Sequence, residues 1–165
     1  MFNISHNLNK KAQITIVFVD KNFKFLNQAN FFSKKELVQI SLFKNDFGKS
    51  DFLKLDLLEG GKKQKIILYK IKELSSEYDY QKIGGTVYSE LSKFESANIL
   101  LESEHNIKKN SFLFSSNFLL GFFSRSYNFK NYKFKKDNNS HLLKHLSIPS
   151  SEKEKLNKAI KHAKD

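Results

Sequence analysis

The sequence predicts an α/β domain in which a mixed β-sheet is covered by helices on both faces. Three observations predict this class. Short runs of β-branched and aromatic residues alternate with segments of helical period, two of these runs are joined by Gly60 and Gly61 as in a hairpin, and the second run of that pair is strongly apolar. A chain of 165 residues suits one domain with its own core.

The first half of the chain contains signals for a strand, a helix and a hairpin. The run QITIVFV at 13–19 predicts a strand that is buried on both faces. Ser33 and Glu36 form a capping-box pattern, which predicts that a short helix begins after Ser33. Residues 52–58 and 65–71 predict the two arms of the hairpin.

The second half continues the alternation. Apolar residues at helical intervals predict a helix over 75–94, although Gly84 and Gly85 lie inside it. Each glycine costs a helix about 1 kcal/mol relative to alanine, so the pair predicts close packing of another backbone. Residues 97–101 predict a strand, and 112–125 predict an apolar helix.

The end of the chain predicts one more strand and one more helix. Residues 142–148 predict the strand, which Pro149 ends. Ser151 and Glu154 form a second capping-box pattern, and the apolar residues after them share one helix face. The residues of this face are Leu156, Ala159, Ile160 and Ala163. The helix reaches Asp165 without a capping residue, so we expect the chain to continue.

Composition favours a soluble cytoplasmic protein. The chain has no cysteine, which excludes disulfides and thiolate metal sites, and it shows no signal-peptide core. No segment approaches the roughly 20 apolar residues of a membrane helix, so we expect no membrane partner. The net charge of +12 invites a nucleic-acid function, but only Arg125 among the 29 cations is arginine. Codons from an A/T-rich genome explain the lysine, together with 16 Asn and 17 Phe.

No motif predicts a reactive centre in this chain. Nucleophile elbows, phosphate loops, dinucleotide fingerprints and the zinc-protease motif are all absent from the sequence. His141 and His145 are four residues apart, as in some metal sites, but no third ligand lies near them in sequence. We therefore expect no catalytic residue, metal or cofactor here.

An aromatic and basic stretch over 118–136 allows two interpretations. As a single-strand binder, it would stack bases on its rings while its lysines follow the phosphates. As structure, it is the end of an apolar helix followed by an extended segment with Tyr132 and Phe134 facing the core. The spacing of the aromatic residues favours the structural interpretation. The lysines of the binding alternative are Lys130, Lys133, Lys135 and Lys136.

The same stretch carries a family resemblance. Gly121, Tyr127, Phe129, Tyr132 and Lys133 form the pattern G-x5-Y-x-F-x2-Y-K. This pattern resembles the end of the N-terminal domain in the leucyl aminopeptidase (cytosol aminopeptidase) family. The preceding segments QITIVFVD, FGKSDFLKLDL, KKQKIILYKI and IGGTVYSEL are similar in order too.

Two positions in this region depart from the family's pattern. The chain has Leu120 where the family usually has an acidic residue, and Ser124 where it has an aliphatic one. The departures indicate a divergent member.

The resemblance implies a macro-like three-layer domain over 1–149 and the start of a linker helix over 150–165. In the family, a catalytic domain with two divalent metal ions, zinc or manganese, follows in the same polypeptide, and the enzyme assembles as a hexamer. The catalytic signature NTDAEGRL is not in this sequence, so no catalytic or metal residue carries over. The resemblance implies a non-catalytic domain that serves packing, oligomer assembly or regulation. We expect Leu156, Ile160 and Ala163 to be only partly buried here and to contact the catalytic domain.

Two alternatives come from other functional classes. The first is a nucleic-acid-binding accessory module that uses a basic surface, since some bacterial members of this family also bind DNA. The second is a stand-alone macro-type domain for ADP-ribose derivatives. That function needs a glycine-rich diphosphate loop, and the sequence contains none.

Overall fold

The computed structural model describes residues 2–20, 22–23, 31–46, 50–59, 61–71, 76–101, 111–131, 143–150 and 153–164. Within these ranges the chain forms six strands and four helices. The strands are β1 (Asn3–Ser5), β2 (Ile14–Val19), β3 (Phe52–Glu59), β4 (Lys62–Lys70), β5 (Ser96–Leu100) and β6 (His145–Ser147). The helices are α1 (Lys34–Leu42), α2 (Glu77–Leu91), α3 (Ser111–Asn131) and α4 (Lys153–Lys164).

The strands form one mixed sheet in the order β1-β6-β5-β2-β4-β3. The hairpin β3–β4 is antiparallel, and the other neighbours are parallel. At the centre, Ile16 of β2 pairs with Ile67 of β4 and with Ile99 of β5. All six residues of β2 are buried, which confirms the strand predicted there to be covered on both faces.

Helices cover the sheet on both faces and create two cores. Alternate residues of β2 point to opposite faces, so Ile16 and Phe18 join the larger core with α2, α3 and α4, while Val17 and Val19 join the smaller core with α1. The predicted macro-like three-layer α/β architecture, a mixed sheet between helices, is confirmed. No helix in the described ranges is long and apolar enough to cross a membrane.

Local signals determine where several elements begin. Ser33 Oγ accepts from the N–H of Glu36 at 3.2 Å, and Glu36 Oε2 accepts from the N–H of Ser33 at 2.8 Å, so the capping box predicted for α1 is present. The hairpin prediction is also confirmed, and Gly61 has the positive φ of 77° that its turn requires. Ser151 of the second capping pattern lies outside the described residues.

Two elements differ from the sequence predictions. The helix predicted over 112–125 continues to Asn131, so Tyr127 and Phe129 are helical, because no proline or glycine interrupts the chain after Gly121. Strand β1 was not predicted, because three residues give too short a pattern to recognise.

Candidate functional site

The lysines predicted to contact nucleic acid fall at the edge of the described structure. Lys130 lies in the last turn of α3. Lys133, Lys135 and Lys136, like the rings Tyr132 and Phe134, lie outside the described residues. Their contact with nucleic acid stays a prediction.

The face of α4 that was predicted to contact a catalytic domain is buried within this chain. Leu156 is 7 % exposed, and Ile160 and Ala163 are each 8 % exposed. They belong to the larger core, in which α4 packs beside α3, so the expectation that this face is only partly buried is wrong. The physical reason is that α3 supplies the apolar partner for an amphipathic helix within the chain. Contact of these residues with a further domain stays a prediction.

The exposed side of α4 carries four lysines, beside the single carboxylate of Glu154, and is a basic surface that was not predicted from the sequence. Its lysines are exposed, and none is ion-paired with a carboxylate in the described ranges. Lys164 Nζ also lies 5.4 Å from the centre of the Phe123 ring. The sequence signal for this surface was the helical spacing of the apolar residues, because burial of their face leaves the lysines of the helix exposed. The four lysines of this basic α4 face are Lys153, Lys158, Lys161 and Lys164.

A cleft of about 140 Å³ lies between the end of α2 and the hairpin. Its lining includes Ile14, Ile67 and Phe94 as well as a group of charged side chains. The cleft is therefore lined by both apolar and charged side chains. The charged side chains are Lys54, Asp56, Lys65, Glu90 and Lys93.

Ion pairs neutralise the carboxylates of this cleft. Glu90 Oε2 lies 2.6 Å from Lys54 Nζ and 3.4 Å from Lys93 Nζ. Burial by itself raises the pKa of the Glu90 carboxyl, but the hydrogen bond and charge of Lys54 and the charge of Lys93 outweigh burial, so the pKa is lowered. A carboxyl with a lowered pKa is ionised at neutral pH and has no proton to donate as a general acid.

Asp56 has the same character. The hydrogen bond from Lys63 lowers the pKa of Asp56; burial opposes it, but Lys63 together with Lys65 outweighs burial, so the pKa is lowered. The Nζ–Oδ distances are 2.8 Å to Lys63 and 3.2 Å to Lys65. The cleft is thus a network of paired charges and not an acid and base of separated pKa.

The carboxyl ends of parallel strands are where ligands usually bind in open α/β sheets. Here β2 is followed by a turn in which Asp20 Oδ1 accepts from the N–H of Asn22 at 2.8 Å. Phe23 has a φ of 64°, a conformation that bulky residues rarely adopt, and its N–H donates to the Asp20 carbonyl at 3.0 Å. Residues 20–33 contain no glycine, so this connection lacks the diphosphate loop required by the ADP-ribose alternative.

No group of three or more His, Cys, Asp or Glu side chains that could hold a metal ion occurs among the described residues. His145 is exposed on β6, and His141 lies outside the described ranges. The sequence matches no protein-family model and no curated protein.

Proposed function

We propose that this chain is a non-catalytic domain of a leucyl (cytosol) aminopeptidase, a metallopeptidase that releases N-terminal amino acids from peptides. The domain would contribute packing, oligomer assembly or regulation. Support comes from the order of the segments that carry the resemblance. QITIVFVD contains β2, FGKSDFLKLDL and KKQKIILYKI contain most of the hairpin strands β3 and β4, and IGGTVYSEL lies in α2 before the glycine-containing helix α3.

The observation that carries the proposal is the contact between two of these segments. A Cβ added to Gly121 would lie 1.9 Å from the Gln81 carbonyl oxygen of α2, and one added to Gly84 would lie 1.9 Å from the Phe118 carbonyl oxygen of α3. The glycine of the tyrosine pattern and the glycine of IGGTVYSEL therefore serve one close helix contact. This pairing gives the two separate parts of the resemblance a shared structural reason.

In this proposal the chemistry belongs to a separate catalytic domain of the same polypeptide. Two divalent ions, zinc or manganese, would activate water there. The described residues of this chain offer no cluster that fits such a pair of ions. We further propose that the parent enzyme is cytoplasmic and forms a homo-oligomer.

The test has two parts. The chain is assayed with a leucine anilide substrate and manganese, and we expect no turnover; turnover that survives repurification would overturn the non-catalytic assignment. The chain is then mixed with a separately purified leucyl aminopeptidase catalytic domain in sedimentation velocity experiments. A complex of one to one is expected, and absence of any complex counts against the aminopeptidase assignment.

A second candidate function is nucleic-acid binding, which the basic α4 face favours. Its four exposed lysines have no carboxylate partner in the described ranges, so they are available to release counterions from a polyphosphate. Lysine supplies point charges without bidentate geometry, which suits binding without sequence preference.

Duplex DNA titrations at two salt concentrations test this candidate. Each lysine that contacts a phosphate contributes about 0.9 to the slope of log affinity against log salt. Replacing the four α4 lysines by glutamine should reduce the slope, and a second variant with Lys130, Lys133, Lys135 and Lys136 replaced tests the stretch predicted from sequence. Lys63→Gln, at an ion-paired lysine on the hairpin, is the matched control. Absence of binding at low salt would dismiss the candidate.

A further inference from the structure

β3 is the longer of the two edge strands in the part of the sheet that the structure describes. β3 has eight residues and lies at one end of the strand order, whereas β1 at the other end has three. The N–H of Lys70 donates to the carbonyl of Asp51 at 2.7 Å, which fixes the alternation of the hairpin, because every second residue from Asp51 bonds to β4. The residues of β3 whose N–H and C=O groups point outward are Phe52, Lys54, Asp56 and Leu58.

Side chains cap both ends of this outer edge. Ser50 Oγ accepts from the N–H of Phe52 at 3.3 Å and donates to its carbonyl at 2.8 Å. Gln39 reaches from α1 to Leu58, where Nε2 donates to the carbonyl at 2.9 Å and Oε1 accepts from the N–H at 3.2 Å. The two outward residues between the caps have no hydrogen-bond partner for their main-chain groups in the part of the chain that the structure describes.

We propose that this open segment pairs with the same segment of a second copy of the chain. In an antiparallel pair with the twofold axis at Leu55, Lys54 of each copy lies opposite Asp56 of the other. Both residues point their main-chain groups outward, so each pair exchanges two main-chain hydrogen bonds. Each pair also sets opposite charges side by side, with Lys54 already ion-paired to Glu90 and Asp56 to Lys63 and Lys65 within its own chain, so the new contact adds to these surface ion pairs.

Charge selects this register over its neighbours. Shifting the antiparallel pair by two residues in one direction places Lys54 opposite Lys54, and in the other direction Asp56 opposite Asp56. In a parallel pair in register, Lys54 lies opposite Lys54 and Asp56 opposite Asp56. Like charges directly opposite are destabilising, so the register centred on Leu55 is the favoured one.

Exposed apolar side chains lie beside the same edge. Leu58 is 63 % exposed and in the proposed pair lies opposite Phe52 of the second copy. Leu42 is 74 % exposed and follows Gln39 by three residues, so it lies on the side of α1 that faces this edge. Val38, one turn before Leu42, is 63 % exposed. A second copy on this edge would cover apolar surface as well as pair the main chain.

The pairing closes on itself. A twofold axis uses the same edge of both copies, so the described sheet keeps only the three-residue edge of β1, and the expected product is a dimer and not a filament. Short pairing of this kind predicts a weak dimer. The inference does not rest on the proposed function, because the partner is another copy of this chain.

Two single charge reversals and their mixture test the proposal. Wild-type protein is followed by analytical ultracentrifugation from micromolar to millimolar concentration, and a monomer–dimer equilibrium is expected. Lys54→Glu and Asp56→Lys each place like charges opposite one another, which should weaken dimerisation by roughly tenfold or more. An equimolar mixture of the two variants sets opposite charges against each other again, so a heterodimer should form with about the wild-type affinity.

The matched control is Lys158→Glu, which makes the same charge change on α4 and should leave dimerisation unchanged. Circular dichroism and melting curves check that every variant folds. A wild-type chain that stays monomeric at all concentrations overturns the proposal. Single variants that dimerise like the wild type, or a mixture that associates no better than its components, overturn it as well.

Discussion

At the scale of single residues, Gly84 and Gly121 determine how closely α2 and α3 approach. Both Gly84→Ala and Gly121→Ala place a methyl group 1.9 Å from a backbone oxygen of the facing helix, which cannot move without its whole helix. We expect each substitution to lower the free energy of unfolding by about 1–3 kcal/mol or more. Urea denaturation followed by circular dichroism measures this change.

Gly85→Ala is the control for these substitutions. A Cβ there would lie 3.7 Å from the Gly121 carbonyl oxygen, an ordinary contact, and alanine favours a helix by up to about 1 kcal/mol over glycine. Unchanged or increased stability is expected. If Gly85→Ala proved as damaging as Gly84→Ala, the close contact would not be the cause.

Asn98 is a buried polar residue that holds the segment before β2. Asn98 is 2 % exposed; its Nδ2 donates to the Asn9 carbonyl at 3.0 Å and to Thr15 Oγ1 at 3.1 Å, and its Oδ1 accepts from the N–H of Asn9 at 3.1 Å. Asn98→Ala leaves these groups without their partner and should cost about 1–3 kcal/mol of unfolding free energy. Urea denaturation tests this, with the exposed Thr86→Ala as the control, and equal effects of the two would contradict the prediction.

At the scale of elements, the capping box ties the start of α1 to its first turn. Ser33→Ala removes the acceptor for the N–H of Glu36, and we expect a loss of about 1 kcal/mol in unfolding free energy. Ser41→Ala, at an exposed position of the same helix, is the comparison and should cost less. Hydrogen exchange of the α1 amides provides the local measurement. Uniform protection in the variant and the wild type would show that the cap is not needed.

The elements predicted correctly have local signals. The run that forms β2, the Ser33 cap and the Gly61 turn each act within a few residues, so the sequence reveals them directly. β1 exists because Asn3–Ser5 pairs with β6, a contact with no local signal. The burial of the α4 face likewise depends on α3 lying beside it, and neither helix alone reveals that.

The candidate sites were harder to predict than the fold. In the sequence, Lys54 and Asp56 belong to an ordinary alternating strand pattern. They stand out as a candidate pairing site only because Gln39 and Ser50 cap the main-chain groups on either side of them. The basic α4 face could not be distinguished in the sequence because lysine is common throughout the chain. A site made by distant segments needs the sheet order before it can be recognised.

At the scale of the whole molecule, ion pairs should make stability fall in acid. The pKa of Glu90 is lowered in the folded state as described above, and hydrogen bonding to Lys144 lowers that of Glu95. A carboxyl whose folded pKa is lowered stabilises the fold above its unfolded pKa of about 4.5, and this contribution is lost as pH falls through the folded pKa. We therefore expect the free energy of unfolding to be lower at pH 3 than at pH 7.

The measurement is a set of urea denaturation curves between pH 3 and pH 7. Glu90→Gln cannot titrate, so its stability should change less with pH than that of the wild type over the same range. Thr86→Ala, at an exposed residue that carries no titrating group, is the control and should keep the wild-type slope. An unchanged slope in Glu90→Gln would assign the pH dependence to other groups.

The pairing of β1 has a consequence for the order of folding. Asn3 pairs with His145 and Ser5 with Ser147, so β1 is synthesised long before the strand that becomes its neighbour. During synthesis the central strands can already associate, while β1 stays unpaired. Pairing of β6 with β5 and β1 is therefore a late event. A nascent chain that stalls before residue 145 leaves β5 as an unpaired edge strand that is prone to aggregate.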